Sequence, residues 1–194
     1  MFPLNVPNVL TVLRILAVPV LVVALLGETP DGDVIAAVVF ALAAATDGLD
    51  GYIARRRREV TTFGKLMDPL ADKLLVVAAL VSLVSLERLA AWVAMVIIAR
   101  ELAVTGLRSL AAEQGVVIAA SWLGKAKTGL QIAAILALIA FDPAPLWVDV
   151  LLYIAVAMTL ISAADYFFGL RRRIEEHRAE QAAARTPGLA TKPR

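Results

Sequence analysis

The sequence contains no cysteine, a single histidine, few aromatic residues and little charge. Without cysteine there are no disulfides and no thiolate metal sites, and the redox compartment stays undetermined. The one histidine, His177, lies in a charged tail and carries no catalytic expectation. Charged residues make up 19% of the 194 positions, against about a quarter in soluble domains. The N-terminus lacks a basic leader and a small-residue cleavage site, so it does not read as a cleaved signal peptide. No internal repeat is present.

What the chain does have is apolar sequence. Hydrophobic residues reach 60%, the mean hydropathy is +0.80, and they fall in long blocks rather than alternating runs. A hydrocarbon core of about 30 Å needs roughly 20 apolar residues per helical span. Six candidate spans follow, at about 7–26, 34–55, 65–85, 90–110, 122–141 and 148–170. Between them lie turn formers such as Gly27-Glu28-Thr29-Pro30-Asp31-Gly32-Asp33 and Asp142-Pro143-Ala144-Pro145. The expected fold class is therefore all-α, a polytopic membrane protein with one membrane domain over residues 1–170. A basic, polar tail follows at 171–194, its last stretch from Ala182 reading as disordered.

Charge orients the bundle. Arg55 to Arg58, Lys125 with Lys127, and Arg171 to Arg173 mark one side; on the other, loops 27–33, 86–89 and 142–149 hold only Arg88 among basic residues. Excess lysine and arginine marks the cytoplasmic face, which places both termini there, as an even number of spans requires. The same placement accounts for the net charge of +2 without nucleic acid. Trp92, Trp122 and Trp147 fall near span ends and read as interfacial anchors.

Four aspartates interrupt the apolar pattern. Asp47 and Asp50 are spaced i, i+3 near the end of the second span, and Asp68 and Asp72 are spaced i, i+4 near the start of the third. Each spacing puts two carboxylates on one helical face, and a short basic loop brings the pairs to matching depth. One aspartate at the centre of a membrane helix costs about 2.5–3.5 kcal/mol on insertion scales, and crowded like charges repel. Hard divalent cations resolve both problems, because oxygen-rich clusters suit Mg²⁺, Mn²⁺ or Ca²⁺. Two such ions bridged by carboxylates would hold and polarise a phosphate. Gly51, Ala54 and Gly64 near the acidic face leave room for a bulky ligand, or only let helices approach closely.

The run Asp47, Asp50, Gly51, Ala54, Arg55, eight residues, Gly64, Asp68, Asp72 resembles the signature of the CDP-alcohol phosphotransferases without a gap. The resemblance implies six transmembrane helices, a homodimer in the inner (cytoplasmic) membrane and an active site open to the cytoplasm. It implies Asp47, Asp50 and Asp68 as ligands of Mg²⁺ or Mn²⁺, two ions in all. Asp72 becomes the general base and a possible further ligand. Arg55 resembles the arginine that binds the CDP diphosphate, with Gly51, Ala54 and Gly64 making room for the CDP-lipid.

Three outer segments narrow the resemblance. Asn8, Thr11 and Arg14 belong to an opening similar to the family's P-N-x-L-T-x-x-R. They are expected at the phosphate end of the pocket, Asn8 and Thr11 towards the CDP-lipid and Arg14 towards the acceptor; Arg14 snorkelling to the interface is the plainer alternative. Arg100, Glu101, Thr105 and Arg108 form a polar stripe on the fourth span, and Lys125 and Lys127 lie at the start of the fifth. Arg100 with Glu101 reads either as a structural ion pair or as part of a pocket, and the lysines as topology signals or as ligands. Together Arg100, Arg108, Lys125 and Lys127 would suit an acceptor phosphate. With Ser162, Asp165 and Tyr166 late in the chain, these segments resemble the bacterial phosphatidylglycerophosphate synthases. That implies CDP-diacylglycerol and glycerol 3-phosphate as substrates. Inositol phosphate, serine or another lipid alcohol as acceptor, and a divalent-cation transporter built from the same acids, are the rival readings.

Overall fold

Blocks of Leu, Val, Ile and Ala separated by turn formers dictate helices with short connections. The computed structural model describes residues 6–27, 29–57, 62–113 and 122–185, with side chains at 9–27, 29–46, 70–113 and 122–175. Among these residues there are six α-helices and no strand: α1 Val6–Leu26, α2 Gly32–Arg57, α3 Thr62–Ser85, α4 Ala91–Glu113, α5 Trp122–Ala140 and α6 Leu146–Arg185. The first five expected spans coincide with α1 to α5 within three residues at each end.

The sixth differs. Helix α6 continues past the expected span end at 170 to Arg185, through part of the stretch expected to be disordered. Its extension, Arg171 to Arg185, consists mostly of Glu, Arg, Gln and Ala, which favour helix even in water. Arg171 Nε also donates to Glu175 Oε1 at 3.1 Å, one helical turn on. Residues 186–194 of the expected tail lie outside the described residues.

Helix α1 packs on α2 and α3, α5 packs on α6, and contacts of α2 with α5 and of α4 with α6 join the halves. The interior holds Leu21, Phe40, Leu75, Leu80, Leu83, Ile97, Ile135 and Leu138, all buried, together with the small residues Ala36, Ala79, Ala94 and Ala134. The outside is equally apolar: Val23 is 71% exposed, Met95 68% and Leu160 54%. Such a surface is wrong for water and right for lipid. Among the described residues, three helices are long and apolar enough to cross a membrane, α1 over Val9–Leu26, α5 over Trp122–Ala140 and α6 over Leu146–Glu175. The apolar stretch Gly32–Thr46 in α2 is shorter, and α4 is interrupted by Arg100, Glu101 and Arg108. Trp92, Trp122 and Trp147 sit in the first turns of α4, α5 and α6 and are each more than half exposed, as interfacial anchors should be.

One arginine gathers the loops of the end poor in basic residues. The Arg88 amide donates to Leu83 O at 3.0 Å and that of Glu87 to Val84 O at 3.1 Å, closing α3 with Glu87 left-handed at φ 60°. The turn presents Arg88 to Asp33 at the start of α2 (2.8 Å) and to Asp142 after α5 (2.9 Å). The hydrogen bond from Arg88 to Asp33 raises the Arg88 pKa above its ordinary value, against the opposing effect of burial. Arg88→Ala should lower stability by about 1–2 kcal/mol, since the carboxylates are partly solvated. Thermal unfolding in detergent should register this as a drop of a few degrees, and an unchanged Tm would mean that the clamp carries no stability.

Candidate active site

Helices α3 to α6 each place charge around one space. The cavity, about 530 Å³, is lined from α3 by Lys73, from α4 by Arg100, Glu101, Thr105 and Arg108, from α5 by Lys125, Lys127 and Thr128, and from α6 by Ser162, Asp165, Tyr166 and Arg173. Six of its lining side chains are cationic and two are acidic. A concave, water-accessible space with that balance attracts an anion, and convergent Arg and Lys donors favour a phosphate.

The cations are held in place rather than left to wave. Glu101, buried on α4, receives hydrogen bonds from Lys73 of α3 and Lys127 of α5. Arg100 Nη1 reaches Glu101 Oε1 at 3.1 Å, and its Nη2 donates to Ser162 Oγ of α6 at 2.7 Å. The Arg108 guanidinium lies over the Tyr166 ring, 5.7 Å from its centroid. Lys73 Nζ also stands 3.6 Å from Asp72 Oδ2, so the aspartate adjoins the cavity wall.

Of the residues singled out by sequence, the structure brings Arg100, Arg108, Lys125 and Lys127 to one cavity. Both lysines lie within the first two turns of α5, at the start of the expected fifth span. Lys127 is 2% exposed, a place for a ligand-facing or ion-paired lysine rather than a topology signal. Arg100 and Glu101 do form an ion pair, and that pair itself lines the cavity. Arg14 lies elsewhere. It is buried on α1, its Nε donating to Ala43 O of α2 at 3.3 Å, and it does not line this cavity. Thr11, also buried, is one turn away on the same face of α1. Thr46 Oγ1 donates to the same Ala43 carbonyl at 2.7 Å, one residue before Asp47.

The side chains of Asn8, Asp47, Asp50, Gly51, Ala54, Arg55, Gly64 and Asp68 lie outside the described residues. Their backbone is helical: α2 runs through Arg57 and α3 starts at Thr62, and the two helices pack together. The i, i+3 and i, i+4 pairs therefore each share a helical face. A donor set made of carboxylate oxygens alone fits a hard divalent cation and suits no soft one.

Two of the cationic lining residues carry no functional expectation from the sequence. Lys73 adjoins the fourth aspartate inside an apolar helix, and an ionisable group there is a signal in itself. Arg173 reads as a topology signal in the sequence, yet it lines the cavity. Its place there depends on the extension of α6 beyond the apolar block.

The chain is 43% identical over 180 residues to the CDP-diacylglycerol–glycerol-3-phosphate 3-phosphatidyltransferase of Bacillus subtilis (strain 168), covering 84% of this chain and 93% of that protein. It is 41% identical over 167 residues to the probable phosphatidylglycerophosphate synthase of Mycobacterium tuberculosis (strain ATCC 25618 / H37Rv), covering 84% and 79%. It is 38% identical over 176 residues to the CDP-diacylglycerol–glycerol-3-phosphate 3-phosphatidyltransferase of Salmonella choleraesuis (strain SC-B67), covering 86% and 95%. The family model described as CDP-alcohol phosphatidyltransferase matches residues 4–161, which take in both aspartate helices and most of the cavity wall. With a family model over residues 4–161 and relatives 38–43% identical over most of its length, the chain belongs to the CDP-alcohol phosphatidyltransferase family.

Proposed function

We propose that this chain transfers the phosphatidyl group of CDP-diacylglycerol to glycerol 3-phosphate, forming phosphatidylglycerol phosphate and CMP. The observation that carries the acceptor is the cationic cavity beside Asp72, with Arg100, Arg108, Lys125 and Lys127 in its wall. Inositol is uncharged and serine carries one carboxylate balanced by its own ammonium, whereas a phosphate monoester carries about −1.5 to −2 charge at neutral pH. The relatives named for the glycerol 3-phosphate reaction support the same choice.

In the transfer, the acceptor hydroxyl oxygen forms a bond to the phosphatidyl phosphorus. Its proton passes to Asp72, and the bond from that phosphorus to the CMP oxygen breaks, releasing CMP. The lysines and arginines of the cavity bind the acceptor's own phosphate, which stays intact, and so orient its free hydroxyl. Asp47, Asp50, Asp68 and Asp72 would hold a divalent metal, Mg²⁺ or Mn²⁺ as two ions, which when bound would supply positive charge that offsets the diphosphate. Arg55 holds the diphosphate as well, Gly51, Ala54 and Gly64 admit the nucleotide, and Asn8 and Thr11 complete the CDP-lipid side. Arg14, bonded to the aspartate helix one turn before Asp47, supports that end of the pocket.

The membrane setting follows the charge. All six helices cross the inner membrane, both termini and the site face the cytoplasm, and residues 1–170 form the membrane domain with the polar tail beyond it. Two copies form a homodimer. The cationic wall speaks against a divalent-cation path through the same acids, since a positive lining repels that cargo.

The test is CMP release by purified protein in detergent with CDP-diacylglycerol and Mg²⁺, offering glycerol 3-phosphate, inositol 1-phosphate, inositol or serine. Release with glycerol 3-phosphate alone is expected. Release with another acceptor would keep the reaction and overturn the substrate, and no release from folded, metal-loaded protein would reopen the transport reading. Arg108→Ala, on an exposed part of α4, should raise the KM for glycerol 3-phosphate about tenfold with kcat little changed. An unaltered KM would place the phosphate elsewhere.

A further inference from the structure

A carboxylate buried in an apolar helix needs one cation to offset it, and Glu101 has three. Lys73 bonds to Oε2 while Lys127 and Arg100 bond to Oε1, so both oxygens are engaged. Arg100 continues to Ser162, and through this one side chain α3, α4, α5 and α6 are joined. All four charged groups line the cavity. A structural ion pair would end in neutrality. With Asp72 3.6 Å from Lys73, three positive charges face two negative ones and leave an excess of one on a largely buried cluster, which low dielectric makes costly unless an anion completes it. A phosphate monoester carrying about −1.5 to −2 charge offsets that excess together with part of the charge of Arg108, Lys125 and Arg173 in the same wall.

We propose that Glu101 is a positioning residue for the acceptor phosphate: it sets Lys73, Lys127 and Arg100 along one wall of the cavity with a positive excess that the phosphate neutralises. The inference rests on the reading that an acceptor phosphate occupies this cavity, and it adds a residue that touches neither substrate. It also links the wall to the chemistry. Lys73 lies 3.6 Å from Asp72, so a shift of the wall moves the acceptor hydroxyl relative to its base. Loss of Glu101 should therefore act on kcat more than on binding.

Two variants of the full chain test this, each assayed for kcat and KM with glycerol 3-phosphate and, separately, for binding of inorganic phosphate by calorimetry without CDP-diacylglycerol. Glu101→Asp keeps the charge, and hence the balance that supports folding, but withdraws the carboxylate by one methylene. Its phosphate affinity should stay within about threefold of wild type while kcat falls on the order of tenfold. Glu101→Gln adds net positive charge, so phosphate should bind as tightly or more tightly, while kcat falls about a hundredfold.

Wild-type kcat in both variants would overturn the proposal, leaving Glu101 as a mere counter-charge. So would parallel loss of phosphate binding and turnover in Glu101→Asp, which would make it a fold or binding element. Absence of phosphate binding by the wild type would remove the proposal as well. A wild type that binds phosphate yet releases no CMP with glycerol 3-phosphate would instead overturn the acceptor assignment. The phosphate wall would then still be judged by the affinities of the variants.

Discussion

Asp72→Asn is expected to lower CMP release by about 10²- to 10⁴-fold while the protein remains folded. The amide has nearly the shape of the carboxylate but accepts no proton, so an attacking hydroxyl loses its base. Folding should survive because Asp72 belongs to the cavity edge rather than the core: its side chain is 29% exposed, whereas Ala71 and Leu75 on the same helix are buried. Lys73 keeps its bond to Glu101 in the variant and loses a neighbouring negative charge, so inorganic phosphate should bind at least as tightly as in the wild type. Steady-state turnover, the thermal midpoint and phosphate affinity measured together test the claim. Wild-type turnover would remove Asp72 from the mechanism. A residual rate that recovers at high Mg²⁺ would make Asp72 chiefly a metal ligand, since added metal cannot replace a base.

The second large effect is the removal of divalent metal. EDTA should abolish CMP release, and Mg²⁺ or Mn²⁺ should restore it. A readout independent of turnover comes from linkage: metal at a hundredfold excess over its Kd stabilises the folded state by about 2.7 kcal/mol, roughly 5–10 °C in Tm for a chain of this size. The physical basis is the set of four aspartates on two packed helices, whose mutual repulsion without a cation opposes folding. Asp68→Asn should abolish the metal-dependent shift in Tm while leaving the metal-free protein no less stable, because it removes one of the repelling charges. A Tm indifferent to Mg²⁺ in the wild type would remove the metal from these acids.

Much of the fold is legible in the sequence. The ends of α1 to α5 follow within three residues because each apolar block is about as long as a span and ends in turn formers. The aspartates stand out because charge in an apolar helix is expensive and periodic spacing assigns it to a face. The end of α6 is illegible for the converse reason. Its polar composition reads as disorder, although Glu, Arg, Gln and Ala at i, i+4 spacing also build solvated helix, as Arg171 and Glu175 show.

Partnership is the part beyond the reach of sequence. Nothing in Arg14, Arg100 and Lys127 as residue types tells which of them meets a ligand. The structure sends Arg14 to a carbonyl of α2, and Arg100 and Lys127 to the same carboxylate. Arg88 looks like an exception to a topology rule and instead bridges Asp33 and Asp142. Local composition and periodicity act over a turn or two of chain, so the sequence by itself determined the helices, their lipid-facing character and the faces that bear the acids. Contacts such as Lys73 with Glu101 and Arg100 with Ser162 span 28 and 62 residues. Only the packing of α3 to α6 decided them, because ion pairs form wherever helix packing brings opposite charges to the same depth, whatever their separation along the chain.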